Sequence, residues 1–326
     1  MRRRIFAVAT DTAGCWLYRL HWPLSALDPA EFEVIWRGPY ANELQAGDTV
    51  IGQRIAGHNQ AWLDYCANPT VRAIYEIDDD VVDVDPNNTV PYQIFQPQRE
   101  GTIANIAAAN RVICSTLHLA DKIRRRWNGS VAVLPNCLPR RFLDLPDRRP
   151  NNGTLTVGWA GSPFHHQDWP GVPEAVAAYA AAEPRARFHL YGADYSAGAF
   201  PVHHSTGFAP MEHYLAGLDF DIGIAPLART EFNQSKSWAK LLEYGARGIP
   251  AVATRWGQYP EWFRLPGDDP PGILVDDPTE IPDALAVLSD HDTRARMGSA
   301  ARERAAMFTT EGNTHRWADA LRWEPP

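Results

Sequence analysis

Lysine is the residue this chain most nearly does without: of 31 basic side chains only Lys122, Lys236 and Lys240 are lysines, and the rest are arginines. Long apolar runs are missing too. None approaches the roughly 18 residues that would span a bilayer, so no transmembrane helix is expected. Cysteine is scarce, at positions 15, 66, 114 and 137, with no CxxC pair and no histidine at metal-ligand spacing. A disulfide framework and a zinc site are therefore not expected, and the four read as small core residues. After Met1-Arg-Arg-Arg4 the apolar stretch Ile5 to Ala9 is short of the roughly 7 to 15 residues of a signal core. It reads instead as a buried first strand, and a cytoplasmic protein is expected.

What is present fits a globular chain. With 45% hydrophobic, 21% charged and 11% aromatic residues, disordered, collagenous and coiled-coil classes are excluded. At roughly 100 to 200 residues per domain, 326 residues favour two domains. The net charge is 31 − 39 = −8, and all of the excess acid lies beyond residue 150. That balance disfavours tight binding to a nucleic-acid backbone. The clusters Arg124-Arg125-Arg126, Arg140-Arg141 and Arg148-Arg149 read first as solvated surface and second as a basic patch.

Apolar strand-like runs alternate with amphipathic helical stretches throughout, the pattern of parallel sheets covered by helices. Strands are expected at Ile5–Thr10, Glu33–Arg37, Thr49–Gln53, Ala73–Ile77, Arg111–Ser115 and Val131–Leu134. The alternation restarts with strands at Leu155–Trp159, Arg187–Tyr191, Ile222–Ala225, Ala251–Thr254 and Ile273–Val275. Between the two sets, a stretch with three prolines and Asn151-Asn152-Gly153 breaks the pattern. The reading is an α/β chain with a first domain at 1–140, a linker at 141–153 and a second domain at 154–308. A final helix at 309–326, with Trp317, Leu321 and Trp323, is expected to fold back onto the first domain.

In open parallel sheets ligands bind beyond the carboxyl ends of the strands, so those ends are where chemistry should lie. The first is Asp11 to Arg19, where Gly14 opens a helix whose amides suit an anion. Arg19 would reach an acceptor or a phosphate, or serve as a surface cation. The matching end in the second half is Gly158-Trp-Ala-Gly161-Ser162, followed by His165-His166-Gln-Asp168. Asp78-Asp79-Asp80 places three carboxylates at another strand end, where repulsion raises a pKa, a cation binds or a sugar's hydroxyls are faced; the bland alternative is an acidic turn. The densest signal is Asn233-Gln-Ser-Lys236-Ser-Trp-Ala-Lys240-Leu-Leu-Glu243-Tyr244. A helix over 235–247 would set Lys236, Lys240 and Glu243 at i, i+4 and i+7 on one face. Two of three lysines on one face suggest a task for compact ammonium groups, a common phosphate ligand; the bland alternative is an ion-pair ladder.

The stretch from Gly207 to Thr254, with Asn-x-x-Lys-Ser-x-x-Lys-x-x-Glu-Tyr-x-x-x-Gly-Ile-Pro, resembles the donor-binding domain of GT-B glycosyltransferases of the family-4-like type. Gly158 to Ser162, the Asp78–Asp80 segment and Asp11 to Arg19 fit a branch of that group. The resemblance implies two Rossmann-like domains facing a cleft. It implies that Glu243 binds the nucleotide ribose and that Ser235, Lys236, Ser237 and Lys240 face the diphosphate. Gly14 and Gly161 would close on the phosphates, with Ser162 beside them, and Tyr191, Gly192 and Phe208 would lie near the base. Two features depart from the group: its Glu-x7-Glu pair has Ser235 at the first position, and its Arg/Lys pair after the second domain's first strand is replaced by His165-His166.

These readings converge on a transferase that moves a sugar from a nucleotide diphosphate sugar, UDP- or GDP-linked, to an acceptor. Lys236, Lys240 and Asp79 are the expected catalytic groups; Arg19, Asp78, Asp80, His165 and His166 are expected on the acceptor side. No cofactor and no metal are expected, and the resemblance implies retention of the anomeric configuration. Candidate acceptors are a protein, a glycan, a metabolite or modified DNA. The alternatives are a sugar-nucleotide epimerase of the same shape and a binding module for a nucleotide sugar or a nucleic acid.

Overall fold

Two runs of six short strands become two parallel sheets. The computed structural model describes residues 2–12, 14–40, 42–146, 153–205 and 210–323. The chain divides into one unit of Met1–Leu138, Ser235–Ser237 and Thr309–Pro326, and another of Pro139–Gln234 and Trp238–Phe308.

The first unit holds β1 (Arg3–Val8), β2 (Phe32–Ile35), β3 (Thr49–Gln53), β4 (Arg72–Ile77), β5 (Arg111–Cys114) and β6 (Val131–Val133). Their order is β2-β1-β3-β4-β5-β6, with every pairing parallel. Because neighbouring residues point to opposite faces, Phe6, Val50, Ala73 and Val112 line one core and Ile5, Ile51, Ile74 and Ile113 the other. Strands buried on both faces explain why β3 and β4 read as continuous apolar runs rather than as alternation. The helix Thr310–Arg322 covers the second face with Trp317 and Leu321, and Arg72 donates to the carbonyl of Leu321 at 3.2 Å.

The second unit holds β7 (Leu155–Gly161), β8 (Ala186–Gly192), β9 (His203–Ser205), β10 (Ile222–Ala225), β11 (Ala251–Thr254) and β12 (Gly272–Val275). The order β12-β11-β10-β7-β8-β9 is the doubly wound arrangement in which the first and fourth strands of the set lie side by side. The topological switch point therefore falls between β7 and β10. Trp159, Val157, Leu190, Ile224, Val252 and Leu285 belong to its core.

The division falls at Leu138/Pro139, so the start of the segment expected as a linker belongs to the second unit. It is tied there by Arg302 to the carbonyl of Leu143 and by Arg247 to that of Pro146. β9 and the helices Thr89–Phe95 and Tyr259–Arg264 were not expected.

One sequence expectation is corrected in a way that matters for the site. The helix expected over 235–247 is two helices, Glu231–Ser235 and Ala239–Ala246, separated by Lys236-Ser237-Trp238. The carbonyl of Ser235 accepts from the Thr116 hydroxyl at 2.9 Å instead of capping a helical turn. Asn136 holds the Ser237 hydroxyl at 2.8 Å. A side chain thus takes over a carbonyl that a continuous helix would have used, and a second side chain holds the hydroxyl two residues on. Among the described residues, no helix is long and apolar enough to cross a membrane.

Candidate active site

The site of the second unit is built at the carboxyl ends of β7 and β10. The helix Ala239–Ala246 puts Lys240, Glu243 and Tyr244 within one turn, so the three side chains share a face. Tyr244 fixes that face: its hydroxyl accepts from the Ala160 N–H and donates to the Ile224 carbonyl, each at 3.2 Å, bridging β7 to β10. Lys240 donates to the carbonyl of Ala160, and its ammonium lies 4.7 Å from the centre of the Trp159 ring. A buried ammonium is thereby held beside Gly161 at the tip of β7.

That placement needs glycine at two positions. A side chain at Gly161 would start 2.6 Å from the Trp159 ring and 3.0 Å from the Lys240 Nζ. Gly192, at the end of β8, has φ 109° and would set a Cβ 2.1 Å from the Gly161 carbonyl oxygen. Two backbones meet here closer than any side chain allows.

Glu243 is buried, and the Tyr214 hydroxyl donates to its Oε2 at 3.0 Å. Burial, and Glu243 next to it, push the Tyr214 hydroxyl above its ordinary pKa, so it stays a donor. Tyr191 meets Tyr214 edge to face at 5.3 Å. Ser162 and the histidines follow β7: the Ser162 hydroxyl accepts from the Phe164 N–H at 3.4 Å, opening the turn Pro163–Asp168. In that turn Asp168 is buried and is bonded by His165 Nδ1 at 2.7 Å, the Ala228 N–H at 2.9 Å and the Asn233 side-chain amide at 2.6 Å. The pair His165–Asp168 fixes the imidazole against Trp159, with ring centres 5.7 Å apart. His166 is exposed. Both histidines, expected on the acceptor side, lie in the second unit, in the turn that follows β7. Phe208 lies outside the described residues.

The first unit carries a second constellation at the carboxyl ends of β1, β3 and β4. Arg54 follows β3 with φ 45°, a left-handed backbone that a bulky residue adopts only under constraint. It pairs with Asp11 at 2.5 Å and lies 3.7 Å from Asp78. Burial raises the Asp78 pKa, but Arg54 and the Cys15 hydrogen bond outweigh it and hold the carboxyl below its ordinary range. Asp79 is only partly covered; burial and the neighbouring Asp78 push its carboxyl up to about 6, against the attraction of Lys236. Lys236 thus belongs with Asp79 on the first unit, not with Lys240 on one helix face. Ser235 is likewise buried in the first unit, with its hydroxyl unpaired among the described residues, and Ser237 is engaged by Asn136.

Two acceptor-side expectations are corrected. Arg19 has no exposed surface: it bonds Glu76 at 2.6 Å, the Leu134 carbonyl at 2.6 Å and Asn136 at 3.0 Å. It was drawn inward because Glu76, central in β4, is wholly buried and needs a cation. Asp80 is also fully buried, paired with Lys122, which joins Asp83 at 2.9 Å. Gly14 opens a helical run, and no described atom outside its chain neighbours lies within 4 Å of where its side chain would start. Arg54 was missed by sequence reasoning, and Asp11 was named only as the start of a segment; a left-handed arginine leaves no mark in composition or spacing.

Residues 173–322 match the model of a family described as glycosyl transferase-like. The matched segment is a little under half of the chain, and the fold is GT-B. Similar solved structures of glycosyltransferases extend the likeness beyond the matched segment. Sucrose-phosphate synthase from Thermosynechococcus elongatus aligns with a TM-score of 0.65 at 16% identity, covering 98% of each chain. TarM of S. aureus, in complex with UDP among other ligands, aligns with 0.61 at 14% identity, over 86% of this chain and 56% of its own. The pneumococcal O-GlcNAc transferase GtfA, in complex with UDP and GlcNAc, gives 0.59 at 15%, over 85% and 57%. This GT-B chain thus spans little more than half the length of TarM and GtfA. No curated protein matches the sequence.

Proposed function

We propose that this chain transfers a sugar from a nucleotide diphosphate sugar, UDP- or GDP-linked, held by the second unit. The observation that carries the reading is the pairing of Lys240 and Glu243, one helical turn apart, at the β7/β10 switch point beside Gly161 and Gly192. Carboxyl ends at such a point are where doubly wound sheets take nucleotides. Glu243, buried and bonded by the Tyr214 hydroxyl, suits the paired hydroxyls of a ribose. Lys240 suits a diphosphate, and glycine at 161 and 192 lets exposed backbone come close to it.

Transfer would be electrostatic and positional. As the sugar–phosphate bond breaks, negative charge grows on the leaving diphosphate, and a preorganised ammonium stabilises that charge without reorganising. The His165–Asp168 pair stands on the same strand end and fits a second contact to phosphate oxygens. No divalent metal is invoked for this step, and retention of configuration is the stereochemical part of the proposal. The acceptor is assigned to the first unit; with retention an oxygen of the leaving diphosphate takes the acceptor hydroxyl's proton, and an inverted product would instead assign that proton to Asp79.

The test is release of nucleoside diphosphate from UDP-glucose, UDP-N-acetylglucosamine, UDP-galactose and GDP-mannose, with EDTA and with Mg²⁺, using water as the default acceptor. One donor should be consumed, and Glu243→Ala and Lys240→Met should each abolish the release. Release that persists in both variants, or no release from any donor, would overturn the reading.

A further inference from the structure

A cluster of aromatic side chains on the first unit is not used by anything above. Trp16 stacks on His21 with ring centres 4.4 Å apart and planes 26° from parallel. Trp36 meets Trp16 edge-on at 6.2 Å and His21 at 5.2 Å. It follows β2 and keeps 42% of its surface exposed, and Tyr40 keeps 68%.

The stack exists because of an irregular helix. In a regular α-helix, positions five apart point in different directions, whereas Leu17–His21 forms a π-helical turn, closed by the Trp22 N–H on the Leu17 carbonyl. The π turn brings residues 16 and 21 over one another. Its other consequence is the inward Arg19, bound to Glu76, which clamps the turn to β4. The platform is therefore held in place by a buried ion pair.

Its position and charge narrow what it can hold. Gly14–Trp16 opens the helix after β1, and β2 pairs with β1 in parallel register, Ile35 opposite Phe6, so the aromatics stand at the carboxyl rim of the sheet. This is the rim that carries Asp11, Asp78 and Asp79. The neighbouring cation, Arg37, is spent on Glu43 through two bonds of 2.7 and 2.8 Å and lies flat on Tyr40, 3.9 Å from its centre. An anionic ligand such as a nucleic acid would find carboxylates and an occupied guanidinium. A neutral ring with an apolar C–H face and hydroxyls on its edge fits both features. Its C–H bonds lie on the electron-rich indole face and its hydroxyls reach acceptor oxygens.

We propose that Trp16, His21 and Trp36 form a carbohydrate-binding platform, and that the acceptor of the transfer presents a neutral pyranose ring to it. This rests on the reading of the chain as a sugar transferase and names the acceptor class for it.

The test is saturation-transfer NMR and tryptophan fluorescence titration of the full chain. The probes are methyl α- and β-glycopyranosides of glucose, galactose, mannose, rhamnose and N-acetylglucosamine. At least one should bind saturably, and Trp36→Ala should weaken it tenfold or more, with Trp36→Phe recovering most of the affinity. The thermal midpoint of each variant checks folding, which the exposure of Trp36 makes safe. If no glycoside binds, or if Trp36→Ala leaves the affinity unchanged, the platform has no carbohydrate role. If the chain is a dimer that Trp36→Ala converts to a monomer, the patch is a self-association surface and the proposal also falls. A nucleoside diphosphate titration of the wild-type chain reports on the donor reading separately, so failure of one is distinguishable from failure of the other.

Discussion

Replacing Lys240 by methionine removes the ammonium while keeping an unbranched stem against Trp159. Without ligand the change is modest. A charge-assisted hydrogen bond to the Ala160 carbonyl, about 1.5–3 kcal/mol, and the contact with Trp159, about 1 kcal/mol, are lost. The burial penalty of the ammonium is relieved at the same time. The expected net loss of stability is below about 2 kcal/mol, so the variant folds. With a diphosphate present the balance differs. A unit pair at about 4 Å in an effective dielectric of about 20 is worth about 4 kcal/mol. Discounted for the lost Ala160 bond and residual solvent, about 2–3 kcal/mol remains, or about 30- to 140-fold in Kd. Calorimetric titration with UDP and uridine, or GDP and guanosine, separates the two cases. Lys240→Met should weaken the diphosphate by that factor and leave the nucleoside within about twofold, since the nucleoside has no phosphate to lose. Equal losses for both would refute the assignment of Lys240 to the diphosphate, as would a variant that unfolds.

Three further expectations follow from the same geometry. Gly192→Ala should cost at least about 2 kcal/mol in chemical denaturation, because its Cβ would stand 2.1 Å from the Gly161 oxygen at φ 109°; a neutral result would mean the two strand ends are not in contact. Arg19→Met should destabilise the first unit by about 3–5 kcal/mol by stranding Glu76, and adding Glu76→Leu should recover much of it; a loss below about 1 kcal/mol would refute the buried pair. Asp79, held near 6, keeps a proton on the folded chain that the unfolded chain has already lost. Its contribution is therefore present below about pH 4 and lost as pH rises to about 6. At about 1.4 kcal/mol per unit, halved for partial exposure, Asp79→Asn should gain about 1–2 kcal/mol at pH 7.5 and nothing at pH 4. Melting curves at both pH values check this, and an equal gain at both would contradict the account.

Much of the architecture was legible because parallel strands buried on both faces must be apolar throughout. Thr49–Gln53, Ile222–Ala225 and Ala251–Thr254 fall where the residue pattern puts them. Glu243 and Lys240 could be found because one helical turn separates them and lysine is scarce. Lys236 could not be placed, because the helix breaks where Thr116 and Asn136, more than a hundred residues earlier, bind Ser235 and Ser237. Arg19 and Asp80 were read as facing a ligand or solvent because charged residues are seldom fully buried; only the fold reveals that Glu76 and Lys122 are buried with them. The Trp16–His21 stack was invisible for a related reason: a π turn follows no 3.6-residue period. What escaped the sequence in each case was a long-range partner or an irregular backbone.

The central claim is that the β7/β10 rim binds a nucleoside diphosphate. The most direct measurement is thermal unfolding with UDP, GDP, ADP and TDP in turn, each with EDTA and with Mg²⁺, for the wild-type chain and Glu243→Ala. At about a hundred times its dissociation constant a ligand adds about 2.7 kcal/mol to the folded state, a shift of several degrees. The account predicts that one diphosphate raises the midpoint equally with and without metal and that Glu243→Ala abolishes the shift. No shift from any of the four, shifts that require Mg²⁺, or a shift that survives Glu243→Ala would contradict it.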